Sequence, residues 1–133
     1  MEASENKNFR FDPNFDSEFL WELYQDDYQT IENLFSVSLE HFDTDLAEIT
    51  GAYDRNDRQQ LLKSLHKFKP TFGFLGLPQV QEDCKNYEDL CRKNEDLNSG
   101  SAVYKDLIST ILNSKQLLEK TYLQLKEYNT QFL

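Results

Sequence analysis

Turn-forming residues are scarce: this chain of 133 residues has four glycines and three prolines. So few breakers exclude the many tight turns of a sandwich or barrel and point to long uninterrupted elements. Basic residues are also in short supply. Fourteen Lys and Arg against 24 Asp and Glu give a formal net charge of −10. A surface of that sign repels phosphate backbones, so nucleic acid is not an expected partner. No apolar run approaches the ~20 residues needed to cross a bilayer. The opening MEASENKNFRF lacks the apolar segment of a signal peptide. No membrane partner is expected, and the cytoplasm is the default location. There is no internal repeat at the ~20–50-residue period of solenoids and no low-complexity tract.

Catalytic signatures are missing too. The chain has no P-loop, nucleophile elbow, HExxH or kinase glycine-rich motif. A di-iron bundle needs Glu-x-x-His pairs, but Ser38 and Lys63 stand three residues before His41 and His66. Cys84 and Cys91 would lie ~10 Å apart along a helix, too far for a disulfide. They share a stripe with Leu77, Val80 and Tyr87 and read as small, reduced, buried hydrophobes. Two thiols do not make a metal site, so no metal and no cofactor is expected. The abundant carboxylates read as solvated faces. An enzyme that completes a reaction by itself is not expected.

What is present is aromatic and periodic: ten Phe, seven Tyr and one Trp. Residues 1–11 read as a mobile tail, from which Phe9 and Phe11 can tuck against the rest. Asp16 or Ser17 can cap a short helix carrying Phe19, Leu20, Leu23 and Trp21. Asp26 and Asp27 break it. A second helix is predicted over Tyr28–Tyr53, with Ile31, Phe35, Phe42, Leu46 and Ile49 inward. Asp54 to Asp57 form a polar loop that caps a third helix. Gly76 and Pro78 mark its stop and the start of a fourth, which runs to about Asn94. Asn98 to Ser101 read as a loop, with Ser101 capping a last helix over Ala102–Tyr128. The expected fold is all-α: an antiparallel up-down-up-down four-helix bundle with a short extra N-terminal helix. Its segments are a tail at 1–15, the bundle at 16–129 and a C-terminal end at 130–133. One domain and a monomer are expected.

The third helix carries the chemistry. At ~100° per residue, Leu61, Leu65, Phe68, Phe72 and Leu75 fall within about 40° of one line. His66 lies about 140° from that line, Lys69 about 80° and Gly73 about 120°. His66 is therefore expected on the solvent side, with a cation and a missing side chain on its own face. An exposed imidazole is a nucleophile towards a phosphoryl group, and nearby positive charge would receive the phosphate oxygens. Lys69 has that place; Lys63, three residues before His66, and Lys67, which points further round, read as solvated surface lysines. Gly73 allows a partner to come close or allows tight helix packing. Pro70 cannot donate to the His66 carbonyl, so a mild kink or a free carbonyl is expected there. His41, without such surroundings, reads as a surface histidine.

The run His66-Lys67-Phe68-Lys69-Pro70-Thr71-Phe72-Gly73-Phe74-Leu75-Gly76 resembles the signature of histidine-containing phosphotransfer (HPt) domains. That signature is His, any residue, an apolar residue, Lys, Gly, then small residues, closing on an apolar residue and Gly. Phe68, Lys69, Leu75 and Gly76 match in register, whereas Pro70, Phe72 and Phe74 depart from it. The resemblance covers roughly residues 16–129. It implies a phosphoryl carrier without its own ATP or metal site, the acidic pocket and Mg²⁺ belonging to receiver domains. It makes His66 the phosphoacceptor and Lys69 the phosphoryl-stabilising cation. Its partners would be receiver domains of response regulators or hybrid histidine kinases, docking around Leu62, Lys63, Pro70 and Gly73 on the flanks of the second and third helices. The alternative is a non-transferring helical adaptor that docks on a receiver or sensor kinase.

Overall fold

The computed structural model describes residues 9–132. Among the described residues there are five α-helices, one short 3-10 helix and no strand. They are α1 (Ser17–Tyr24), α2 (Tyr28–Asp54), α3 (Arg58–Phe74), α4 (Pro78–Lys93) and α5 (Ser101–Thr130), with the 3-10 turn at Leu97–Gly100. No helix among the described residues is long and apolar enough to cross a membrane.

Each start has a local cause. Asp16, Asp27 and Asp57 cap α1, α2 and α3, accepting hydrogen bonds from the amides of Phe19, Thr30 and Gln60. Pro78 begins α4 at the position where a missing amide costs nothing. The ends of α2 and α3 use the same device. Asn56 (φ 56°) and Gly76 (φ 75°) turn left-handed. The next amides then fold back, Asp57 to the Ala52 carbonyl and Leu77 to the Phe72 carbonyl, at 2.8 Å each. These stops leave three-residue connections, 55–57 and 75–77.

Helix α3 packs against both α2 and α4, and α5 closes the arrangement by packing on α2 and α4. Phe42 of α2 meets Phe68 and Phe72 of α3 edge-on at 5.2 and 6.1 Å. All three rings are almost fully buried. Such pairs are worth ~0.5–1.5 kcal/mol beyond their burial, and they seat the inner face of α3. At the end of α2, Tyr53 stacks on Tyr104 of α5 at 3.6 Å. At its start, buried Asn129 of α5 donates to the Tyr28 carbonyl and to Glu32, each at 2.9 Å.

Several local expectations change. Trp21 and Leu23 are exposed on α1, because so short a helix buries one side only, through Leu20. Asn98 to Ser101 is not a loop. Asp96 accepts from the Asn98 amide and starts the 3-10 turn, which runs straight into α5, so Ser101 is helical and not a cap. Of the expected tail, residues 1–8 lie outside the described residues. Phe9 and Phe11 pack partly buried on the core, and Phe15 belongs to it.

Candidate functional site

Helix α3 presents its inner stripe to the core: Leu61, Leu65, Phe68 and Phe72 are at most 1% exposed. The opposite register leaves the His66 side chain 71% exposed. His41 on α2 is exposed as well, without comparable company. Pro70 lies inside α3, which continues through it.

The surroundings of His66 come from α4. Glu88 is 1% exposed and its carboxylate faces α3. Its Oε2 lies 3.2 Å from His66 Nδ1, and Lys69 Nζ donates to Oε1 at 2.8 Å. Arg92, one turn further along α4, donates from Nη2 to Oε2 at 2.8 Å. Arg58, at the start of α3, donates to the carbonyls of Cys91 and Arg92 at 2.6 and 2.8 Å and holds the end of α4 in place. Burial pushes the Glu88 carboxyl up, but the hydrogen bonds and charges of Lys69 and Arg92 outweigh it and leave the group below its ordinary range. Glu88 is therefore a carboxylate at neutral pH.

That charge decides the imidazole tautomer. An ionised carboxylate only accepts hydrogen bonds, so Nδ1 carries the proton that points at Glu88. In the neutral ring, Nε2 then keeps its lone pair, on the exposed side chain. The arrangement is an oriented, exposed imidazole beside two cations.

The other residues read from sequence fall into different places. Lys69 is not a free surface cation; it is 20% exposed and bound to Glu88. Lys67 is exposed and lies 3.5 and 3.7 Å from Glu48 and Asp45 of α2. Lys63 lines an open polar cleft of about 920 Å³ between α2 and α3, with Gln60, Glu48 and Asp43. Pro70 and Gly73 instead line a smaller cleft of about 340 Å³, with Phe19, Phe74, Pro78 and Gln81. This cleft opens towards α1 and α4, not along the α2 flank. Leu62 is half-buried against the core. A Cβ on Gly73 would come 2.8 Å from the Gln81 side chain, so close packing of α3 on α4 accounts for this glycine as well as cleft access does. Cys84 and Cys91 are free and buried, and burial pushes Cys84 up to about 12.

Sequence reading missed Glu88 and Arg92. A signal existed: Glu88 stands four residues after Cys84 and three before Cys91, a charge inside an apolar stripe. Such a position calls for a partner from another helix.

Fold and site together define a helical protein that displays one oriented histidine on its surface. Residues 33–127 match the Hpt domain family, and the chain belongs to that family. Comparison with curated proteins and with solved structures returned no significant match. Hpt domains are phosphocarrier modules that work by histidine phosphotransfer in phosphorelays and interact with receiver domains.

Proposed function

We propose that this chain accepts a phosphoryl group on Nε2 of His66 from the aspartate of one receiver domain and passes it to the aspartate of another. The observation that carries the reading is the 3.2 Å contact between Nδ1 and buried Glu88, which leaves Nε2 as the nucleophile on a 71% exposed side chain. Lys69 is the phosphoryl-stabilising cation, within the same hydrogen-bonded group. Transfer of this kind depends on positioning and charge more than on covalent help from the protein.

Receivers dock over His66, with Pro70 and Gly73 on the apolar side and Leu62 and Lys63 on the polar side. The protein works as a cytoplasmic monomer. Helices α2 to α5 run up-down-up-down, with α1 across one end. The short connections support that order, as do Arg58 with the end of α4, Gly73 with Gln81, and Asn129 with the start of α2.

The test is incubation with phosphorylated receiver domains from the same organism, followed by an acid-lability assay of the label. Wild type takes an acid-labile label, His66→Gln takes none and His41→Gln behaves like wild type. A label on the His66 variant rejects this residue as the acceptor. If wild type takes no label from any receiver that it binds, the adaptor reading replaces the carrier reading.

A further inference from the structure

Glu88 occupies the donors that a phosphoryl group on His66 would need. Lys69 Nζ and Arg92 Nη2 both lie 2.8 Å from its carboxylate, and the three charges sum to +1. A phosphoryl group brings about −1.5 to −2 charges and three acceptor oxygens. Lys69 is 20% and Arg92 52% exposed, so both side chains reach solvent on the side where His66 emerges.

We propose that Glu88 sets the energy of the phosphoryl group on His66: it competes with the phosphoryl oxygens for Lys69 and Arg92, and it retains the Nδ1 proton that makes the phosphorylated ring a good leaving group. The proposal rests on the acceptor reading above and specifies how the site keeps its cargo transferable.

On acceptance, the Nε2 lone pair forms the N–P bond while the donor's O–P bond breaks and its electron pair stays on the aspartate carboxylate. No proton leaves Nε2, so a ring still protonated at Nδ1 is cationic. The carboxylate 3.2 Å away matches that charge, as the buried aspartate of a catalytic triad matches its imidazolium. On donation, an oxygen of the acceptor aspartate forms the new O–P bond while the N–P bond breaks, the pair returns to Nε2 and a neutral imidazole departs. Had Nδ1 lost its proton, the leaving group would be an imidazolate, which is far poorer. The ring contact at 3.2 Å stabilises the cationic phosphohistidine and so opposes the competition for the cations. With two contacts to cations at 2.8 Å against that one to the ring, the competition dominates, and the net effect of Glu88 is to shorten the life of the phosphohistidine and speed its onward transfer.

The experiment labels His66 with phosphoramidate, a small donor, and measures the half-life of the label at neutral pH. A second arm measures the phosphoryl equilibrium with a receiver. Glu88→Gln keeps the shape and an acceptor for Nδ1–H but removes the charge. It is expected to lengthen the half-life and shift the equilibrium towards phosphohistidine, each by about tenfold, the scale of one charge-assisted hydrogen bond. Arg92→Gln is expected to shorten the half-life. A purely structural Glu88 would give an unchanged or shorter half-life in Glu88→Gln, and that result overturns the proposal. Should Glu88→Gln fail to unfold cooperatively, the exposed Arg92→Gln decides, and an unshortened half-life overturns the proposal. If receivers give no label but phosphoramidate does, the transfer reading falls while the half-lives still decide the role of Glu88. If neither donor labels His66, both fall.

Discussion

Two lysines beside His66 make a controlled comparison. Lys69 and Lys67 are two residues apart on α3, carry the same charge and are both close to carboxylates. They differ in what lies beneath. Lys69 donates at 2.8 Å to Glu88, which is 1% exposed, whereas Lys67, 64% exposed, lies 3.5 Å from partly exposed Glu48 and 3.7 Å from half-buried Asp45. Lys69→Ala removes a charge-assisted bond worth ~1.5–3 kcal/mol and leaves a buried carboxylate with Arg92 as its remaining full cation. A loss of about 2 kcal/mol is expected, or roughly 5–10 °C in Tm for a domain of this size. Lys67→Ala removes pairs of the kind worth ~0–1 kcal/mol and is expected to stay within about 0.5 kcal/mol. In the label assay, Lys69→Ala reduces phosphohistidine by about tenfold to hundredfold, and Lys67→Ala by less than about threefold. Urea denaturation with a matched receiver-transfer assay reads both quantities. If Lys69→Ala is as mild as Lys67→Ala in both, the buried carboxylate does not organise the site and the reasoning is wrong.

Other outcomes follow from the same structure. Gly76→Ala places a Cβ 2.9 Å from Leu20 at a φ of +75°, so the left-handed backbone and the clash together should cost about 2–4 kcal/mol in urea unfolding. Gly73→Ala meets only the flexible end of Gln81 and should cost under about 1 kcal/mol; equal costs would contradict the geometry. Glu88 titrates below its ordinary 4.5 in the folded protein. Its contribution is therefore complete above that pH and lost as the pH falls through the lower folded value. The Tm gap between wild type and Glu88→Gln should close on acidification, and a constant gap would argue against an ionised Glu88. Cys84 is raised from 9.0 to about 12, first by burial and then by Asp83. Its contribution is present below 9.0 and fades as the pH rises towards that folded value. At neutral pH a thiol reagent should modify it only as fast as the protein opens, and rapid labelling of the native state would refute its burial.

How much of this was legible in the sequence divides by distance along the chain. Helix boundaries are local events. An Asp side chain caps amides two or three residues on, and a Gly or Asn turns back on the preceding turn. Asp27, Asp57 and Gly76 therefore revealed α2 and α3 before any contact was known. The exposure of His66 is local too, because a 3.6-residue period fixes its angle to Leu65 and Phe68 whatever the helix packs against. Trp21 was harder, since only the tertiary arrangement says which side of a two-turn helix meets a neighbour.

The environment of His66 belongs to the other class. Glu88 and Arg92 stand 22 and 26 residues beyond it, on a helix whose placement depends on the turn at Gly76 and on Arg58 gripping the end of α4. Sequence alone determined that a histidine with a lysine one turn away would face solvent. Only the tertiary structure decided that this lysine is bound to a buried carboxylate and that the ring proton sits on Nδ1. The physical reason is that burial turns one surface-like glutamate into a fixed charge, and no local pattern specifies which groups from another helix will surround it.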